Sequence, residues 1–390
     1  MSVAIQVPSP GFRRLRPVLS ALVLATGWAG LAAPAVLPAP IIPPGISLET
    51  GEIEGAKFVI ARPAQCNGCV LLIAHDYRAK TAPLVADLNP NHLAHSTLLA
   101  EGWVVAQTSY RRNGAIIRDA IADLENLRAH IAATCGEPRR VLLEGDSMGG
   151  TIVTLIAEQF SGHYQGAVAV DALLQAREKN DFIPFNLQPQ IPLVFLTNQS
   201  ELNGPRQYVT APFDRQNRPL LLKVARAGHV NVNQRERLVA LRTLIDLLDQ
   251  RPVALPKMDG APVFYDATQE PVPGPSQVRP LDEGGFEARV TEVTAVDGNL
   301  LLNAQPADFS AAEIAPDTWF EVTAKGQTYR VFYGRDFASV KPGLWVAFPN
   351  AEGFFCLARN RDNAATTGAL DAGDPVIIHR IREDGDSTVP

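Results

Sequence analysis

Apolar and polar positions alternate along the chain in two distinct textures. From Leu48 to about Arg251, compact apolar runs are separated by amphipathic stretches. The runs Lys57–Arg62, Cys69–Ala74, Trp103–Ser109, Arg140–Glu144, Gly166–Val170, Ile191–Thr197 and Pro219–Ala225 predict strands. The stretches His92–Glu101, Ala115–Thr134, Gly150–Phe160 and Gln234–Gln250 predict helices. In the second of these, Ile116, Ile117, Ile121, Leu124, Leu127 and Ile131 recur at three- and four-residue steps, the period of one buried helix face. Several strand runs are apolar at every position, as expected of a parallel sheet covered on both faces. Strand alternating with helix therefore predicts an α/β fold, a doubly wound, mostly parallel sheet over residues 36–251.

After Arg251 this pattern stops. Pro252, Pro256, Pro262, Pro271, Pro273, Pro275 and Pro280 punctuate residues 252–283, which predicts a semi-rigid linker or strap rather than a core element. Beyond Gly284 the runs become short and β-branched: Glu287–Thr294, Asn299–Leu302, Trp319–Thr323, Tyr329–Tyr333, Leu344–Phe348, Phe354–Ala358 and Val376–Ile381. Seven such runs predict a second, smaller all-β barrel domain over residues 284–384. The length of 390 residues suits this division, at roughly 100–200 residues per domain.

Residues 1–35 stand apart. Arg13, Arg14 and Arg16 precede the apolar run Val18–Ala33, and Ala33-Pro34-Ala35 supplies small residues at its end. That is the layout of a secretory signal, and the run falls short of the ~20 residues that span a bilayer. Export to the periplasm or medium is expected, with no stable membrane insertion once the segment is removed. The formal net charge of −6 offers no electrostatic footprint for nucleic acid. Of the four cysteines, Cys66 and Cys69 form a C-x-x-C without the second pair of a zinc site, so no metal is expected. A disulfide between them, or from either to Cys135, is open, as are free thiols; Cys356 is expected to be unpaired.

The chemistry concentrates where the predicted strand ending at Glu144 runs into Gly145-Asp146-Ser147-Met148-Gly149-Gly150 and then a helix. G-x-S-x-G at a strand-to-helix turn is a nucleophile elbow, which makes Ser147 the candidate nucleophile. A serine hydroxyl needs a base to take its proton and an acid to orient that base. His229, in a loop between the last predicted strand and the last helix, is the candidate base. Glu201, shortly after the strand Ile191–Thr197, is the candidate acid; Asp171 is its rival and Asp214 a third option. The other histidines beside helices, His92, His95, His130 and His163, read as ordinary surface residues. The backbone N–H groups of Met148 and of Tyr77, in the turn His75-Asp76-Tyr77-Arg78, are the candidate oxyanion donors.

On these residues, the stretch from Leu48 to Arg251 resembles the α/β-hydrolase superfamily in its short esterase or dienelactone-hydrolase-like form. The resemblance implies a Ser–acid–His triad and no cofactor. It departs at Asp76, where the family usually has glycine. Thr108-Ser109-Tyr110-Arg111-Arg112-Asn113 looks like the Y-R loop that borders the pocket, and His75, Asp76, Tyr110 and Asp146 are set against the substrate on this reading. Only Arg78–Pro90 and Leu173–Pro189 are long enough to cover the site.

The tail carries Tyr333-Gly334-Arg335-Asp336-Phe337-Ala338, Lys341-Pro342-Gly343, Asn350-Ala351-Glu352-Gly353-Phe354, Asn360-Arg361-Asp362-Asn363 and Gly373-Asp374-Pro375 in order. These are similar to the C-terminal barrel of the S-adenosylmethionine hydroxide adenosyltransferase family, in which residues near Asn299 and Asn350 help hold adenosine. Ala351 and Cys356 depart from that pattern, and the family's N-terminal catalytic domain is absent. The barrel is therefore read as packing against, or shaping, the hydrolase mouth. The expected activity is exported serine hydrolysis of a small-molecule carboxylic ester. The alternatives are a peptidase or amidase with the same triad, or a protein binding a nucleoside-like ligand through the barrel.

Overall fold

A computed structural model describes residues 43–381 apart from 179–180, 213–217, 254–257, 262–263 and 283. The expected signal segment and Asp214 lie outside the described residues.

The larger lobe is built on one sheet. Its strands are β1 (Ile46–Ile53), β2 (Ala56–Pro63), β3 (Cys69–Ala74), β4 (Val104–Thr108), β5 (Arg140–Asp146) and β6 (Gly166–Val170). After a small hairpin, β7 (Ala176–Glu178) with β8 (Asp181–Ile183), come β9 (Leu193–Asn198), β10 (Leu220–Val224), β11 (Met258–Ala261) and β12 (Phe264–Asp266). The sheet order is β1-β2-β4-β3-β5-β6-β9-β10-β12-β11. From β4 through β12 neighbours run parallel, while β1, β2 and β11 pair antiparallel at the two ends.

Helices α1 (Leu93–Ala100), α2 (Ile117–Cys135), α3 (Met148–Gln159), α4 (Asn203–Thr210) and α5 (Gln234–Leu248) connect the strands. α2 and α3 bury Ile117, Leu124, Ile131, Ile152 and Leu155 on one face of the sheet. α1 and α5 bury Leu98, Leu99, Leu241 and Leu244 on the other. With both faces covered, β4, β6 and β9 have no exposed position, which is why they read as unbroken apolar runs.

One expectation fails at the proline-rich stretch. It is not merely a strap: β12 pairs parallel with β10, and the next residue, Ala267, is fully buried. Proline blocks ladder donors only where it stands, and the sequence between Pro262 and Pro271 carries none. The strand at Ile46 was also unanticipated, because its polar residues face outward at the edge of the sheet. α4 was missed because Gly204 and Pro205 at its start look like a turn.

The smaller lobe contains β13 (Arg279–Pro280), β14 (Phe286–Val293), β15 (Leu300–Leu302), β16 (Trp319–Ala324), β17 (Gln327–Tyr333), β18 (Trp345–Pro349), β19 (Phe355–Arg359) and β20 (Pro375–Arg380). The order β14-β15-β19-β18-β17-β16-β20 returns to β14, so seven strands close into a barrel and β13 adds to its edge. Phe309, from the short helix α6 (Pro306–Ala311), fills the interior and stacks on Phe355 with ring centroids 3.7 Å apart. None of the described helices is long and apolar enough to cross a membrane.

Candidate active site

The carboxyl end of β5 delivers the predicted nucleophile. Ser147 has φ +53° and ψ −110°, and α3 begins at the next residue. Such a turn needs glycine at its flanks because backbones meet there. A Cβ on Gly145 would lie 2.3 Å from the Gly149 carbonyl oxygen, and one on Gly149 would lie 2.0 Å from that of Ala74. Gly149→Ala is therefore expected to push α3 off β3 and to lower stability by about 1–3 kcal/mol, measured by urea denaturation. Met148 is the first residue of α3, so its N–H has no intrahelical acceptor and remains available as a donor.

Two loops from adjacent strands bring the predicted base and acid to this turn. His229, after β10, places Nε2 2.7 Å from Ser147 Oγ. Its Nδ1 lies 2.8 Å and 3.0 Å from the two carboxylate oxygens of Glu201, which follows β9. The loops are tied together: the Ser200 hydroxyl donates to the Gly228 carbonyl at 2.9 Å and accepts from the Gly228 N–H at 3.0 Å. An unbroken hydrogen-bonded series thus runs from Glu201 through the imidazole to Ser147. In this arrangement the ring can accept a proton from the serine while the carboxylate stabilises the resulting charge.

Strand order, strand directions and this turn together decide the architecture. The larger lobe has the α/β-hydrolase fold. Within the hydrolase lobe the nucleophile sits at the middle of the sheet, and the acid and base arrive from the strands beyond β6.

The structure places the remaining predicted residues unevenly. Tyr77 lies in the irregular stretch after β3 with its side chain 55% exposed. Tyr110 is 0% exposed and donates its hydroxyl to the His75 carbonyl at 3.3 Å, while its ring stacks on the His75 imidazole at 4.0 Å. Both side chains are thus packed beneath the turn and offer no surface to a substrate, a correction to the expectation that they contact it. Burial, reinforced by the Arg78 charge, lowers the His75 pKa to about 4, which keeps the ring neutral. Solvent reaches Asp76, yet the protein crowded round it strips enough hydration to raise its pKa to about 6, and the Asp146 charge adds to this.

Asp146 is held rather than free. Arg237 of α5 donates to its two oxygens at 2.7 Å and 2.8 Å and to Glu144 at 2.9 Å. Glu144 and Arg237 are both buried, and His95, expected at the surface, is buried beside them with Nε2 3.9 Å from Glu144. Neither Arg237 nor Asn198 was singled out by sequence. Arg237 stands 91 residues from Asp146, and nothing local marks the pairing.

Asp171, the rival acid, is also at the site. The nearest polar atoms of Asp171, Glu201 and His229 lie within 4.8 Å of one another, a spacing that could hold a cation. Both nitrogens of His229 are engaged within the series to Ser147, and both oxygens of Asp171 accept backbone N–H groups, so the set fits a proton relay better. The hairpin in the second candidate cover segment turns toward α2, where Glu178 accepts the Arg118 N–H at 3.1 Å. All four cysteines are free thiols, Cys69 and Cys356 buried.

The barrel meets the hydrolase lobe at the start of α5. Glu352 accepts the Gln234 N–H at 2.6 Å, and Asn350, in the stretch that lines adenosine in the resembling family, accepts from Glu352 and Phe354 within its own turn.

Residues 291–377 match the family model for the SAM hydroxide adenosyltransferase C-terminal domain. A curated relative, o-phthalyl amidase from Xanthobacter agilis, is 31% identical over 150 residues, which make up 37% of this chain and 31% of the amidase. The chain thus spans about a third of the length of that relative. Among solved structures, a Pyrococcus horikoshii acylaminoacyl peptidase is similar at 8% identity and TM-score 0.39, over 53% of this chain and 42% of the peptidase. A lidless serine hydrolase from Xanthomonas campestris is similar at 13% identity and TM-score 0.34, over 54% and 93%. An uncharacterized conserved protein from Thermotoga maritima is similar at 21% identity and TM-score 0.25, over 27% and 39%.

Proposed function

We propose that this chain is an exported serine hydrolase that cleaves small-molecule carboxylic esters through an acyl-enzyme. The observation that carries the reading is the series Glu201–His229–Ser147, with 2.7 Å between the imidazole and the hydroxyl. Ser147 Oγ attacks the ester carbonyl while His229 Nε2 takes its proton, and Glu201 steadies the imidazolium. The Met148 and Tyr77 N–H groups receive the oxyanion. Collapse of the tetrahedral intermediate breaks the C–O bond, and the imidazolium returns the proton to the departing alcohol. Water, deprotonated by the same imidazole, then releases the acid and restores Ser147.

Amide cleavage is the second reading, favoured by the amidase name of the curated relative. The same groups serve both reactions, since His229 would protonate a leaving amine as it does an alcohol. A matched panel of p-nitrophenyl esters and p-nitroanilides decides between them. The ester reading expects kcat/KM at least about tenfold higher on the ester of each acyl group, relative to the uncatalysed rates. A reversed ratio makes the chain an amidase. Export is supported by the basic and apolar composition of residues 1–35, and fractionation of expressing cells tests it.

A further inference from the structure

Asp171 follows β6 much as Glu201 follows β9, and the two strands are neighbours, so the sheet delivers both carboxylates to one edge. Asp171 is 1% exposed, and neither oxygen is idle. Oδ1 accepts the N–H of Asn198 at 2.8 Å, and Oδ2 accepts the N–H of Val230 at 2.6 Å. Asn198 is the last residue of the strand that leads to Glu201, and Val230 directly follows His229. One carboxylate therefore holds the loop of the acid and the loop of the base. The Asn198 side chain completes the clamp, accepting the Asn231 N–H at 2.9 Å and donating to the Asn231 carbonyl at 3.0 Å.

The backbone here is under strain that something must hold. Asp171 has φ +42° and Val230 φ +52°, and a β-branched residue in the left-handed region is an outlier that persists only where its surroundings over-determine it. We propose that Asp171 is a positioning residue of the hydrolase site: its buried carboxylate fastens the His229 loop to the strand end that presents Glu201 and places a second negative charge beside the imidazolium. This rests on the reading of Ser147 and His229 as nucleophile and base. The ionisable groups that face Asp171 are Glu201 and His229. Burial raises its pKa to about 6, Glu201 pushes the same way, and the two N–H donors and His229 oppose them.

Asp171→Asn keeps the shape, removes the charge and turns one acceptor into a donor aimed at an N–H. We expect kcat to fall about 10- to 100-fold with KM changed by less than about twofold. The acid limb of kcat/KM should move to lower pH, because the imidazolium has lost a neighbouring negative charge. A carboxylate that served the fold alone would lower the melting temperature and leave that limb in place; this result, or an undiminished kcat, overturns the proposal. Asp171→Ser repeats the test if the asparagine variant does not fold. The unaltered protein gives a third arm: by NMR, the Asn198 and Val230 amide protons, which share the Asp171 carboxylate, should titrate together with one common midpoint. Two amides that titrate with different midpoints overturn the proposal. Fluorophosphonate labelling of the unaltered protein keeps the two levels apart. No labelling at Ser147 defeats the hydrolase reading itself, whereas labelling with an unmoved acid limb and separately titrating amides defeats only the role of Asp171.

Discussion

Ser147→Ala should reduce turnover of a short-chain p-nitrophenyl ester by about 10⁵- to 10⁶-fold, the scale of losing a nucleophile that works as part of a unit. The substitution removes only Oγ. The Ser147 N–H still donates to the Val170 carbonyl at 2.9 Å, and the Ser147 carbonyl still accepts the Thr151 N–H at 3.0 Å. The turn is held by those backbone bonds and by the flanking glycines, so stability should change by less than about 1 kcal/mol. Covalent labelling by a fluorophosphonate should vanish with activity, while substrate still binds and protects the protein from heat. Activity within a few-fold of the unaltered chain would mean that another group attacks the carbonyl.

Arg237→Met has the largest expected effect on stability. Arg237 joins α5 to the nucleophile turn, through Glu144 in β5 and through Asp146 beside Ser147. Burial works against its charge, but the Asp146 and Glu144 carboxylates outweigh that and hold its pKa above the usual arginine range. Methionine would fill much of the volume and strand two carboxylates, one of them 2% exposed. Breaking a buried pair from one side costs about 3–5 kcal/mol, which urea denaturation at neutral pH should register. The loss should itself depend on pH. Burial already raises the pKa of Glu144, and without Arg237 nothing opposes that rise. A carboxyl whose pKa is higher folded than unfolded stabilises the fold at low pH and loses that contribution as pH climbs through the folded value. The deficit of the variant should therefore be smaller at about pH 5 than at about pH 8. A deficit below about 1 kcal/mol at both would mean that solvent reaches Glu144 and Asp146 when the guanidinium is gone.

Much of the fold was legible because it is locally written. Cys69–Ala74 and Gly166–Val170 are bounded in the sequence as they are in the structure, since continuous apolar residues between polar punctuation have one economical burial in a covered sheet. The seven short runs after Gly284 become the seven strands of the closed barrel for a similar reason: apolar positions spaced by two need an interior. Legibility ended where partners came from far away. β12 hid among prolines because its place in the sheet comes from parallel pairing with β10, a distant segment of the chain. His95 looked like a surface histidine because the charges that surround it come from β5 and α5.

By itself the sequence determined the central strands and the helices that cover them, the barrel, and a turn whose flanks at Gly145 and Gly149 leave no room for a side chain. These depend on residue size and apolar period within a few positions, information that a short window contains. Only the tertiary structure decided that Glu201 rather than Asp171 hydrogen-bonds the His229 ring, that Asp171 instead accepts the N–H groups of Val230 and of Asn198, and that Arg237 reaches the nucleophile turn. Those distances are set by which strands lie side by side and how the loops leave them, and a difference of an ångström or two separates a hydrogen bond from a mere neighbour.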